Sequence, residues 1–233
     1  MSMTPTGLLG RTALRVRRMM RNAVLLGLVL VLAMVLAFRW VNPPVTVLMA
    51  MEWRRLGGIE RTWVGLGAMA PHLPLAAAAA EDANFCGHSG FDLDGIRAAL
   101  ADRDRLRGGS TISQQVAKNV FLWPQRNWLR KGLEAGFTVL LEAAWPKARI
   151  IEIYLNVAEM DEGVFGVEAA SRRYFGVGAG EVSAAQAARL MAVLPDPRRR
   201  SPASGTRFIE SRGASVLRGA ETLRADGRAA CFL

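Results

Sequence analysis

An uninterrupted apolar run near the N-terminus constrains this chain more than any other feature. Residues 22–38 carry no charged side chain, and extending the run to Val41 admits only Arg39. About 20 such residues form a helix of ~30 Å, which matches the hydrocarbon thickness of a bilayer. A cleaved signal peptide is the alternative, but its apolar core is shorter and no small-x-small pattern closes this one. The sequence therefore predicts a retained transmembrane helix over residues 22–41.

The residues that flank this helix indicate how it crosses the membrane. Residues 1–21 contain five arginines and no acidic residue. A basic tail of this kind stays on the cytoplasmic side. Pro43 and Pro44 stop the helix because proline has no backbone N–H to donate. We expect a cytoplasmic tail over residues 1–21, a single crossing, and the rest of the chain on the outer side.

The charge of the chain restricts its partners. Thirty basic residues stand against 20 acidic ones, a net charge of +10, and only three of the basic residues are lysines. Charge alone fits nucleic acid, an anionic membrane face or a phosphorylated substrate equally well. A domain outside the cytoplasm has no access to nucleic acid, so we expect no nucleic-acid partner. The two cysteines, Cys86 and Cys231, form no metal or disulfide framework, and we expect both to be unpaired.

The part beyond the anchor is predicted to be mainly α. A juxtamembrane segment, residues 42–65, is apolar at its start and could lie against lipid or cover the core. From residue 66 the periodicity is helical, and it predicts helices over 127–145, over 147–156 and from a capping box at Ser183 to Leu194. The first of these has one apolar face, made by residues 129, 133, 137, 140, 141 and 144. Residues 201–233 are predicted to form a C-terminal helical tail.

Polar residues concentrate in three places. The segment EDANFCGHSGFD, residues 81–92, places acids beside aromatic side chains, which can raise a carboxyl pKa toward the range that acid–base catalysis needs. The segment GGSTISQQVAKN, residues 108–119, opens a helix that could attract phosphate, although it is not a P-loop. The segment RKGLE, residues 130–134, taken alone is a solvated helix face with ion pairs one turn apart. His88 alone suggests a structural hydrogen bond, and a zinc site is weakly supported.

The order and spacing of five motifs carry a resemblance to a known family. EDxxFxxHxGFD, RGGSTISQQVAKN, RKGLE, RIIEIYLNVAEM and GVFGVEAASRRYFG follow one another over about residues 40–200. This series resembles the peptidoglycan glycosyltransferases, and within them the monofunctional, membrane-anchored biosynthetic transglycosylases. The resemblance implies a lysozyme-like helical domain over residues 66–200 that lies in the bacterial periplasm, anchored in the inner membrane. It also implies polymerisation of lipid II into β-1,4-linked glycan, with inversion and release of undecaprenyl diphosphate.

The resemblance assigns a role to individual residues. Glu81 matches the catalytic glutamate and would be the general base, and Glu134 matches a second essential glutamate whose role is less settled. Positions implied to bind the donor or its diphosphate are Ser110, Gln114, Gln115, Lys118, Arg126 and Lys131. Some members use a divalent cation, Mg or Mn, and Asp82 could contribute to such a site. Expected partners are the membrane, lipid II, the growing glycan strand, and proteins of cell-wall synthesis and division.

The chain departs from many members of the family in two respects, and two other functions compete with the one that the resemblance implies. The sequence contains neither SxxK nor KTG, so it carries no transpeptidase motif. Phe165 stands where many relatives have tyrosine, and we expect it to pack. A lytic transglycosylase or lysozyme-like hydrolase would share the fold and a glutamate, but its alkoxide leaving group gives no reason for the cations to cluster. An inactive, membrane-anchored scaffold of the cell wall would have no need for the glutamates and cations together.

Overall fold

A computed structural model describes residues 6–95, 97, 109–125 and 127–233, with side chains from residue 13 onward. The chain divides into two units, one that ends at Asn42 and one that extends from Pro43 to Leu233. The first unit contains helix α1, Thr6–Phe38. Its portion Ala13–Phe38 is long and apolar enough to cross a membrane, and an 18-residue window within it has a mean hydropathy of 2.3. The helix thus begins before the predicted span and ends three residues short of Val41.

The second unit is built from helices around a small sheet. Its helices are α2 (Val47–Leu56), α3 (His72–Glu81), α4 (Ile112–Phe121), α5 (Trp128–Ala144), α6 (Lys147–Val157), α7 (Val167–Phe175), α8 (Ala184–Val193) and α9 (Arg207–Ala225). Its strands are β1 (Glu60–Arg61), β2 (Glu159–Asp161) and β3 (Val164–Phe165). The sheet order is β1-β3-β2, with β1 parallel and β2 antiparallel to β3. The prediction of a mainly α fold is confirmed.

Local capping signals fix several helix boundaries. Thr111 and Gln114 form a capping box at the start of α4, and Ser183 and Gln186 form another at the start of α8. The Asn127 side chain accepts a hydrogen bond from the backbone N–H of Arg130, at 2.7 Å, and so begins α5. Each cap satisfies a backbone donor that the first helical turn cannot pair internally. These helices lie within a few residues of their predicted bounds.

Close packing of α3, α8 and α9 forms one part of the core. Helix α3 contains the alanine run 76–80, and Ala76, Ala77 and Ala78 are buried. A Cβ placed on Gly219 would lie 3.2 Å from the Cβ of Ala79, a tight contact, so α9 and α3 approach closely at this glycine. On the other side, α4 contacts both α5 and α6. The end of α3 therefore lies between α4 and α9. Phe165 is fully buried in β3, as a packing role requires.

Helix α5 buries part of its polar stripe and exposes part of the apolar stripe that its pattern predicts to be buried. Leu129 is 70% exposed, and Leu133 and Leu140 are also exposed. Arg130 and Glu134 are buried instead. The expectation of a solvated RKGLE face is wrong for Arg130 and Glu134, which pair with each other inside the protein. The predicted apolar stripe is split, because Leu141 is fully buried and Phe137 stacks on Phe121, while three of its leucines stay exposed.

The two cysteines are joined, which corrects the expectation that both are unpaired. Cys86 and Cys231 form a disulfide with an S–S distance of 2.03 Å across 145 residues of sequence. Next to it, the ring of Phe85 contacts the ring of Phe232 with centroids 6.0 Å apart. The disulfide ties the end of the chain to the segment that follows α3. A pairing at this separation leaves no local signal in the sequence.

Loss of this disulfide is expected to destabilise the protein strongly. A cross-link restricts the unfolded chain, and closing a loop this long corresponds to about 2–5 kcal/mol of stability. The Cys86→Ser/Cys231→Ser variant should therefore unfold at a lower temperature than the wild type, measured by thermal denaturation in detergent. Wild type treated with a reductant serves as a second comparison, and its melting temperature should fall by the same amount. Identical melting of all three samples would contradict the cross-link.

Candidate active site

Glu81 lies at the last position of α3, where three helices meet. Its Oε2 accepts a hydrogen bond from Nε2 of Gln115 on α4, at 2.9 Å. Its Oε1 lies 3.7 Å from a guanidinium nitrogen of Arg212 on α9. The Glu81 side chain is 17% exposed. The carboxylate is thus held between two helices and retains access to solvent.

The surroundings of Glu81 favour a proton acceptor at neutral pH. Burial raises the pKa of Glu81 above its ordinary value, while the Gln115 hydrogen bond and the charges of Arg212 and Lys118 oppose that rise. The carboxylate of Asp82 adds to it. A general base works best when its pKa approaches the working pH, because it is then still ionised yet binds a proton well. Glu81 therefore has the environment of a general base or acid.

Asp82 is engaged in holding the fold together. Its Oδ1 lies 2.8 Å from Nε2 of His88, and its Oδ2 accepts from the backbone N–H of Ile112 at 3.0 Å. Nδ1 of His88 accepts from Gly90 N–H at 3.1 Å, so Nε2 carries the proton and donates it to Asp82. Asp82 thus links the segment after α3 to the start of α4.

These contacts do not fit Asp82 as a ready metal ligand. Both carboxylate oxygens already accept hydrogen bonds, and an ion would have to displace them. In the described ranges no cluster of three or more His, Cys, Asp or Glu side chains could hold a metal ion. The Mg or Mn site stays a prediction, and we derive no chemical step through it.

Helix α4 separates the predicted donor-site residues into two groups. Gln114 is buried, and its Oε1 accepts from the backbone N–H of Thr111 at 3.0 Å, so it serves as a capping residue. Gln115 and Lys118 are three residues apart and share one face of the helix, toward Glu81. The structure therefore brings Gln115 and Lys118 to the site and gives Gln114 a structural part.

Lys118 is a cation in a setting that disfavours its charge. Burial lowers the pKa of Lys118, and its ammonium interacts electrostatically with Glu134, Arg130 and Glu81. No side chain in the described ranges forms a hydrogen bond or close ion pair with it. A half-buried cation without such a partner is partly desolvated at a cost in free energy, which an anionic ligand would offset. Lys118 lies in the field of both glutamates, where a ligand could reach it.

Glu134 forms ion pairs with two cations of α5. Its side chain is only 3% exposed, and its Oε2 accepts from Arg130 at 2.8 Å. Lys131 donates to Oε1 of the same carboxylate and lies 3.4 Å from the Ser110 hydroxyl. Nε of Arg130 is buried without a hydrogen-bond partner. Ser110, Lys131 and Glu134 are therefore brought together as predicted. Arg126 lies outside the described residues.

Arg212 is a site residue that the sequence analysis missed. It belongs to the C-terminal tail, for which no role was predicted, and lies 131 positions from Glu81. One signal was present, because Arg212 occupies the same helical stripe as the buried Ile209, Gly213 and Val216. A charge on an apolar stripe indicates a specific partner.

Comparison with known proteins identifies the family of this chain. A family model described as Transglycosylase matches residues 50–221. The biosynthetic peptidoglycan transglycosylase of Rhodospirillum centenum is 53% identical over 91% of this chain and 94% of its own length. The proteins of the same name from Jannaschia sp. and Caulobacter vibrioides are 51% and 45% identical, over 87% and 93% of this chain and 84% and 97% of their own lengths. The chain belongs to the transglycosylase family, among the biosynthetic peptidoglycan transglycosylases.

Proposed function

We propose that this chain polymerises lipid II into β-1,4-linked glycan strands with inversion and release of undecaprenyl diphosphate. The observation that carries the proposal is the position of Lys118, a half-buried cation in the field of two glutamates, Glu81 and Glu134. The substrates follow from membership of the family, in which the relatives are named for peptidoglycan transglycosylation. The site residues act together in one displacement.

Glu81 removes the proton in that displacement. The 4-hydroxyl of the acceptor sugar attacks the anomeric carbon of the donor as Glu81 takes the hydroxyl proton. A new C1–O bond forms on one face, and the bond to the diphosphate breaks on the other, which inverts the configuration. The electron pair of the broken bond leaves with the diphosphate. Gln115 holds the carboxylate through its 2.9 Å hydrogen bond.

The cations serve the leaving group. Charge develops on the diphosphate as its bond breaks, and preorganised cations lower the free energy of that transition state. Of the three cations that the structure describes on α4 and α5 near Glu134, Lys118 is the one left for this role, since Arg130 and Lys131 already pair with Glu134. Glu134 keeps these two cations in place against their mutual repulsion. Arg126 stays a predicted diphosphate ligand.

We further propose that the domain works at the outer face of the inner membrane. The Cys86–Cys231 disulfide supports an oxidising compartment such as the periplasm, and the arginines before residue 22 support a cytoplasmic N-terminus. The exposed apolar stripe of α5, which includes Leu129, suits contact with lipid. A substrate whose polyprenyl tail stays in the bilayer could then present its headgroup to the site. Cell-wall synthesis and division proteins stay predicted partners.

Hydrolysis of glycan is a second reaction that the same glutamate could catalyse. A raised carboxyl pKa suits the general acid that an alkoxide leaving group needs, as well as a base. Such an enzyme would consume polymeric peptidoglycan, whereas a scaffold would alter neither polymer nor lipid II. The cations around Glu134 favour the transferase, because an alkoxide that is protonated as it leaves needs no cation cluster.

Replacement of Lys118 by methionine is expected to impair use of the donor. Methionine keeps most of the buried apolar stem and removes the charge, so the leaving diphosphate loses a stabilising cation. Loss of one such group lowers kcat by about 10²–10³-fold. In single-turnover assays that vary donor and acceptor in turn, the loss should fall mainly on the donor. Equal losses for the two substrates would contradict the diphosphate assignment. The control is Arg218→Met, which removes an exposed cation outside the site.

A further inference from the structure

The C-terminal helix contributes a charge to the catalytic carboxylate. In the described part of the chain, the one ion pair of Arg212 is that with Glu81, at 3.7 Å. The Arg212 side chain is 33% exposed, and its Nε is buried without a hydrogen-bond partner. Burial of an unpaired polar nitrogen is unfavourable and so requires a compensating interaction. The compensation available here is the attraction to Glu81.

The two oxygens of Glu81 have different partners on different helices. Gln115 on α4 donates to Oε2, while Arg212 on α9 faces Oε1. A carboxylate held at both oxygens has one preferred orientation, and a general base must be oriented toward the proton that it removes. Gln115 supplies one restraint and Arg212 the other.

Helix α9 is fixed firmly enough to act as this restraint. Ile209, Gly213 and Val216 flank Arg212 and are buried. The close approach at Gly219 and Ala79 holds α9 against α3, the helix that ends at Glu81. Position 212 is therefore set relative to Glu81 by packing on both sides of it.

We infer that Arg212 is a positioning residue for Glu81, one that orients the carboxylate and stabilises its ionised form. This inference rests on the proposed role of Glu81 as general base. It gives the tail 201–233 a part in the reaction, since that tail places a guanidinium at the base. Arg212 itself acts on the substrate only through Glu81.

Removal of Arg212 should shift the pH dependence of the reaction rate in one definite direction. Among the residues that the structure describes, the charged or titratable groups that interact with Glu81 are Lys118 on α4, Arg212 on α9, Asp82 beside it and the buried Tyr154 on α6. Burial raises the pKa of Glu81, and Arg212 is among the groups that lower it. Without Arg212 the base would hold its proton up to a higher pH. The acidic limb of the rate profile should therefore move to higher pH.

The test compares pH profiles of lipid II polymerisation by the full-length protein. For Arg212→Gln we expect the acidic limb of kcat/KM to move up by about one pH unit, within the range that one nearby opposite charge produces. At any pH on that limb kcat/KM should fall by about 10-fold, which is the one-unit shift expressed as a rate. The loss should lie mainly in kcat, and Arg212→Lys should restore most of the profile. The control is Arg218→Gln, which changes an exposed arginine on the same helix and should behave as wild type.

Other outcomes would overturn the inference. These are an unshifted profile in Arg212→Gln, or a loss in Arg212→Lys as large as in Arg212→Gln. If Arg212→Gln does not fold, the pH profile of Arg212→Lys is the test. The shorter lysine side chain should still move the acidic limb to higher pH, by less than about one pH unit. A wild-type protein that forms no glycan would count against the proposed function itself. A wild type that polymerises, with no shift in the variants, would count against Arg212 only.

Discussion

Replacement of Glu81 by glutamine is expected to lower lipid II polymerisation by about 10²–10⁴-fold, which is the contribution of a general base. Glutamine has the same shape and can still lie between Gln115 and Arg212, but it cannot accept the proton. The loss should appear in kcat, because the substrate meets the same surfaces. Initial rates of glycan formation at saturating lipid II measure it.

The stability of this variant separates chemistry from folding. Burial raises the pKa of Glu81 in the folded state, so ionisation of this group disfavours folding. Because the pKa of Glu81 is higher in the folded state, this carboxyl stabilises the fold fully at pH values below its unfolded pKa. That stabilisation is lost as the pH rises through its folded pKa. Glu81→Gln should therefore be at least as stable as wild type at pH 7, and this advantage should vanish in acid. Activity of Glu81→Gln within threefold of the exposed control Glu221→Gln would exclude Glu81 as the base.

Replacement of Glu134 by glutamine is expected to destabilise the domain and inactivate it. Glutamine can keep a hydrogen bond to Arg130 but leaves a guanidinium buried without a countercharge. Removing one partner of a buried ion pair costs about 3–5 kcal/mol. For a domain of this size each kcal/mol lowers Tm by about 2–4 °C. Thermal denaturation should thus show a fall of roughly 6–20 °C, by the same two relations.

A double variant distinguishes the structural part of Glu134 from its part in the reaction. Arg130→Met/Glu134→Leu removes both buried charges, and such replacements are often neutral for stability. Its Tm should return toward that of wild type while polymerisation stays lost, since Lys131 no longer has its carboxylate. A Tm of Glu134→Gln within 2 °C of wild type would show that the pair is not buried as described. Recovery of activity in the double variant would remove Glu134 from the reaction.

Local chemistry made much of the fold predictable. The α5 helix follows from the Asn127 cap and Pro146, and α8 follows from the Ser183–Gln186 capping box. These signals act within four residues, so the sequence displays them directly. The same holds for Gln115 and Lys118, whose spacing of three predicts a shared helix face.

Features that depend on distant parts of the chain could not be predicted in this way. The pattern of α5 shows an apolar and a polar stripe, but it does not say which stripe meets protein. At Arg130 and Glu134 the polar stripe meets protein, because the two opposite charges pair with each other at 2.8 Å. The Cys86–Cys231 bond and the approach of Arg212 to Glu81 likewise join positions more than 100 residues apart. Only the tertiary fold brings them together.

The most direct test of the account is whether the full-length protein in detergent makes glycan from labelled lipid II. The account predicts polymer that a muramidase digests to disaccharide units, together with release of undecaprenyl diphosphate. Preformed peptidoglycan incubated with the same protein should remain intact. No polymer under any lipid or divalent-cation condition, or digestion of preformed peptidoglycan instead, would contradict the account.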